Sequence, residues 1–186
     1  MGDNPLYRWA SRNAEREVRK DTMPRSERFG QVIGVGVAIV FLLYFAALYN
    51  ESTGFFTPEF TAVGAFMFFG AGAFGIVPTL IRFVTGRKNP ARPADAVGNV
   101  LMMVASVYLL AVFPLDFAHL GDLLPHALES VVEVITNDIA RILLAIGAVI
   151  SPVLAFNNIL TYFAVREELS AGHTATADPQ PPTQGP

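Results

Sequence analysis

The chain has no cysteine. That excludes disulfides, thiolate metal sites, thiol redox chemistry and covalent c-type haem attachment. Charge is also scarce, since only 16% of the 186 residues are Asp, Glu, Lys or Arg. It is scarcest where intramembrane chemistry would need it. No long apolar run carries an ionisable side chain near its middle, where proton-coupled transporters, pumps and voltage sensors place one, so those mechanisms are disfavoured. None of the three histidines falls within such a run, which excludes haem held between two intramembrane imidazoles. The sequence shows no Ser-His-acid arrangement, nucleophile elbow, phosphate loop or potassium filter. It also lacks the basic-aromatic interleaving of nucleic-acid binders. The expectation is a protein with no enzymatic activity, no cofactor and no nucleic-acid partner.

What is abundant is apolar surface, at 52% of residues. Residues 31–50 run without a single charge, and three further stretches, about 60–84, 96–113 and 138–165, have membrane-crossing length. Twelve of the thirteen Lys and Arg residues lie in three of the five hydrophilic segments, and the two segments between those three hold none. By the positive-inside rule, the cation-bearing segments face the cytoplasm. The sequence therefore predicts an all-α, four-span transmembrane helical bundle in the cell membrane, multi-pass, with both termini cytoplasmic. Its parts would be a basic amphipathic helix in 1–29, a four-helix transmembrane domain in 30–168 and a disordered tail in 169–186. The first apolar run follows about thirty polar and charged residues without a cleavage site, so it reads as an uncleaved anchor.

In the N-terminal segment, Asn4-Pro5 suits a helix start, and Arg8, Arg12, Arg16 and Arg19 or Lys20 recur as a cationic stripe suited to anionic headgroups. Asn50-Glu51-Ser52 is an outer-side glycosylation acceptor pattern. Pro78 and Pro152 fall in the second span of each hairpin, a weak hint of a repeated two-helix unit.

Small residues supply the main candidate contacts. Gly70-Ala-Gly72-Ala-Phe-Gly75 has dinucleotide-loop spacing, but it lies within a span, where it reads as a smooth face for close helix approach. Gly147, Ser151 and Ala155 offer the same at four-residue spacing, as do Gly34 and Ala38. A second set, Thr79, Asn99, Asn157, Asn158 and Thr161, places polar groups in the cytoplasmic half. There they would hydrogen-bond between helices or line an uncharged path.

Between spans three and four, Asp116, His119, Asp122, His126, Glu129 and Glu133 recur every three or four residues among leucines and valines. This predicts an amphipathic segment on the outer leaflet, broken by Gly121 and Pro125. No metal is assigned; an ion held there would use His126, Glu129 and Glu133. Arg141, near the outer end of span four, calls for a partner, and Asp138 or Glu133 is expected to supply it.

Three functions fit these features. The leading one is a scaffold or accessory subunit, in contact with lipid, that packs against copies of itself or a larger membrane complex. The others are a channel or facilitator and a membrane enzyme with an outer-face metal.

Overall fold

In a computed structural model, residues 16–177 are described. Asn4-Pro5, Arg8, Arg12 and the end of the tail lie outside them. Among the described residues the chain is helical, and its only extended pairings are two isolated bridges, Thr22 with Arg87 and Phe56 with Leu115. Four helices are long and apolar enough to cross a membrane.

Helix α1 is Arg25–Asn50. It starts earlier than the apolar run because Pro24 sets an extended entry and its carbonyl accepts from Arg28 N, while Glu27 complements the positive end of the helix dipole. Helix α2, Ala62–Thr85, is capped by Thr61, whose hydroxyl accepts from Gly64 N. It contains a π-helical stretch at Phe66–Gly70 and a break at Gly75. Pro78 has no N–H, and its ring crowds the carbonyl of Phe74 four residues back, so the helix breaks just ahead of it. Helix α5 instead runs unbroken through Pro152, so the two prolines do not mark equivalent halves.

Gly86 ends α2 at φ +64, in the left-handed region that a side chain would strain, and its N–H closes onto the Arg82 carbonyl. Helix α3, Arg92–Val112, follows a 3-10 turn at Asn89–Ala91, so Pro90 and Pro93 both sit where a missing N–H is harmless. It stops at Phe113, φ +44, immediately before Pro114. The segment expected to be broken by Gly121 and Pro125 is indeed two short pieces, a 3-10 turn at Phe117–His119 and helix α4, His126–Val132. Helix α5 spans Asn137–Ala177 and so extends beyond the apolar run that ends near Val165.

The close backbone approaches join α1 to α2, α2 to α3 and, most extensively, α3 to α5. None of comparable extent joins α1 to α5, so backbone contact does not close the four helices into a ring. The share of the apolar window buried within the chain is 22% for α3 and only 6% for α1.

The two ends of the helix set are built from opposite chemistry. At one, Leu48, Phe55, Phe60, Leu115 and Leu120 form the hydrophobic core, with Phe45, Phe56, Phe68 and Phe117 stacked around it. Phe45 and Phe68 meet edge-on at 5.0 Å, the geometry that aromatic quadrupoles favour. The loops are laced across this core by Asp116 N donating to Phe55 O (2.7 Å), Thr57 N to Pro114 O (3.1 Å) and the Tyr44 hydroxyl to Leu120 O.

The cationic end is polar. Asp21, only 6% exposed, accepts from Asn89 N (2.7 Å) and Lys88 N (3.1 Å) through Oδ1. Met23 N donates to Gly86 O (2.9 Å), and the ion pairs Glu17–Arg92 (2.5 Å), Glu27–Lys88 (2.6 Å) and Arg82–Asp95 surround these bonds.

Candidate functional site

The small-residue positions expected to pack divide into two groups. On α5, Ser151 and Ala155 are buried, and a methyl group added at Gly147 would meet Ser106 Oγ of α3 at 3.0 Å. Ala105, Ser106 and Leu109 are the matching buried residues of α3. Gly72 of α2 performs the same service for α1, since a methyl group there would meet Leu42 at 3.0 Å. The nearest atoms to Gly70 and Gly75 belong to α2 itself. Gly34 has nothing within 4 Å of where its Cβ would lie. Gly34, Ala38 and Gly75, with Gln31, Val35 and Thr79, instead line an open crevice of about 220 Å³ between α1 and α2.

The polar residues of the spans are not linked to one another across helices. Among the described residues, the side chains of Thr79, Asn99, Asn157 and Asn158 make no hydrogen bond. Thr161 donates to the Asn157 carbonyl of its own helix at 2.8 Å. Asn157 faces outward, and Thr79, Asn99 and Asn158 are half-buried.

Around the aromatic end, each histidine pairs with the carboxylate three residues on. His119 Nδ1 lies 2.9 Å from Asp122, and His126 Nδ1 lies 2.9 Å from Glu129. Glu133 does not join His126 and Glu129, and among the described residues no three potential ligands converge. Glu129 and Glu133 do line a crevice of about 410 Å³ with Asp122 and Asp138, and no cation borders it. Nearby, the Thr57 hydroxyl hydrogen-bonds Glu59 at 2.6 Å and holds its carboxyl below the ordinary carboxylate range.

The apolar residues of this segment point two ways. Leu120, Val132 and Ile135 pack on the core, whereas Leu123, Leu128, Val131 and Val134 remain exposed. Asn137, the first residue of α5, accepts from Phe117 N through Oδ1 at 2.7 Å. Thr136 takes the capping position over α5, its hydroxyl 3.4 Å from Ile139 N.

Arg141 corrects the expected ion pair. It makes none among the described residues and lies over the Phe113 ring, 4.2 Å from the centroid. Phe113 terminates α3 in a left-handed turn, and the ring face offers the cation its negative quadrupole.

The residue that sequence reasoning missed is Arg28. Its guanidinium lies against Gly86, at the spot a Cβ would occupy, and its Nε is buried without an acceptor. No carboxylate pairs with it among the described residues. Gly86, flanked by Thr85 and Arg87 at the end of an apolar run, was legible as a helix stop. The approach of Arg28 to it depends on a loop distant in sequence, and no local pattern encodes that.

This leaves open small-residue surface and unpaired cations as the distinguishing features. No family model matches this chain, and no curated protein or solved structure is similar to it at a significant level.

Proposed function

We propose that the chain is a multi-pass protein of the cell membrane, with both termini cytoplasmic, that acts as a non-enzymatic scaffold or accessory subunit. The observation that carries this reading is the isolation of α1. Of its 26 residues only Leu48 is buried. Opposite the α1–α2 crevice, Phe29, Ile33, Gly36, Val40 and Leu43 share one face, and each of the four large side chains is at least 64% exposed. At its centre, Gly36 has nothing within 4 Å of where its Cβ would lie. In hydrocarbon an apolar face gains nothing simply by leaving lipid, so association favours faces where a small residue lets backbones approach. Gly36 is such a place, and a second copy or a larger membrane partner would seat there.

The test is mass measurement of the detergent-solubilised protein with and without crosslinking. An assembly above the monomer mass, lost in Gly36→Leu, supports the reading, and a monomer under both conditions overturns it. A channel is the second reading, favoured by the half-buried, unbonded amides of Asn99 and Asn158. Solute flux into liposomes that Asn99→Leu abolishes would support it.

A further inference from the structure

We infer that the α1–α2 crevice is a binding site for a phospholipid with an anionic headgroup, the acyl chain lying between the helices and the headgroup against Arg28. The inference rests on the membrane placement proposed above and goes beyond it, since bilayer contact alone requires no site.

The crevice walls are Val35, Ala38, Ile76 and the glycines at 34 and 75, with Gln31 and Gly30 at its cationic end. Both walls belong to helices of membrane-crossing length, so its length is at the depth of lipid tails. Arg28 stands on the same face of α1 as Gln31, Val35 and Ala38, one turn beyond the crevice, and it touches α2 at Gly86, the residue that ends that helix. The cation thus sits over the mouth of the groove. Its lack of a carboxylate partner sets it apart from Arg82, Lys88 and Arg92, each of which is paired. Arg25, one turn earlier, and Arg87, beside Gly86, are exposed and also unpaired. A planar guanidinium with free donors matches the two unesterified oxygens of a phosphodiester. The positive-inside orientation would place it in the leaflet that carries anionic lipid. A second copy of the chain inserted in the same orientation would bring its own Arg25, Arg28 and Arg87 to this mouth, so charge favours lipid over a partner helix.

The experiment is native mass spectrometry of the full chain in detergent, with phosphatidylglycerol and phosphatidylcholine of identical acyl chains added at equal concentration. We expect about tenfold greater retention of the anionic lipid. Arg28→Gln should lower it to the level of the zwitterionic lipid. Ala38→Phe, which fills the groove without touching the cation, should abolish retention of both, and Arg166→Gln should change nothing. Equal retention of the two lipids by the parent protein overturns the proposal. So does undiminished retention in Ala38→Phe, and so does competition by inorganic phosphate alone, which would mean that no acyl chain is needed. Alkaline washing of membranes keeps the two readings apart. A chain released by the wash sinks the membrane placement itself, whereas one that stays embedded and shows no lipid preference sinks only the lipid site.

Discussion

Helices α3 and α5 approach each other closely along their length, whereas α1 meets α2 less extensively and is fixed mainly at its ends. Between α3 and α5, the backbones meet at Gly147 and Ser106 and stay close past Ser151 and Ala155. Between α1 and α2, the contact at Gly72 gives way to an open crevice. What fixes α1 is the Asp21 and Met23 lacing at the cationic end and the Leu48 and Tyr44 contacts at the aromatic end. The middle of α1 therefore leaves most of its apolar surface uncovered by the rest of the described chain.

The change expected to strike hardest at this contrast is Gly147→Leu. A branched side chain must enter a space already bounded by Ser106 Oγ at 3.0 Å, so α3 and α5 must separate. Overpacking of this kind costs about 1–3 kcal/mol, and thermal unfolding in detergent should show the loss. Unchanged stability would mean that the α3–α5 contact is looser than its geometry.

Second in size is Asp21→Ala, aimed at the end of α1. It leaves the N–H of Asn89 without its carboxylate acceptor, while Lys88 N keeps the Asp21 carbonyl at 2.9 Å, and burial of one N–H without a partner costs about 1–3 kcal/mol. Because the lost carboxylate bonds join Asp21 to the 88–89 loop and not one helix face to another, hydrogen exchange should quicken at Asn89 while α3 and α5 stay protected. Faster exchange spread evenly through all four helices would contradict the end-held picture of α1. Arg141→Gln is smaller again, at about 0.5–1 kcal/mol, because a cation over a ring at an exposed site contributes little, and Phe113→Leu should cancel the difference between the two side chains.

The parts of this architecture differ in how far the sequence discloses them, and the reason is distance along the chain. Four helices of membrane-crossing length follow from long apolar runs with few charges, because a helix satisfies its own backbone and needs only local residues to do so. The α5 small-residue series was legible for the same reason, since periodicity defines a face before its partner is known. Helix ends were less so. Arg25, Glu27 and Arg28 are charged yet helical, because Pro24 and not the apolar boundary sets the start. Arg141 and Asn137 took partners from outside their own helix, a ring at the end of α3 and the N–H of Phe117, and neither pairing leaves a trace at spacings of three or four. The pairing of Arg28 with Gly86 is the extreme case: both residues were visible, and their meeting was not.

The finest test of the contrast sets two glycines under one substitution. Gly36→Leu makes the same chemical change as Gly147→Leu, in a helix of the same type, but nothing lies within 4 Å of the Gly36 Cβ position. Replacing glycine by leucine also improves helix propensity by somewhat under 1 kcal/mol, so the isolated chain should be unchanged or slightly more stable. The effect should fall instead on assembly. If α1 seats a partner through Gly36, the added side chain holds the backbones apart and the crosslinked mass drops to that of a monomer, with unfolding unaltered. If Gly36→Leu unfolds the chain as readily as Gly147→Leu, then α1 is packed along its length after all, and the distinction between a helix held at its ends and one held throughout disappears.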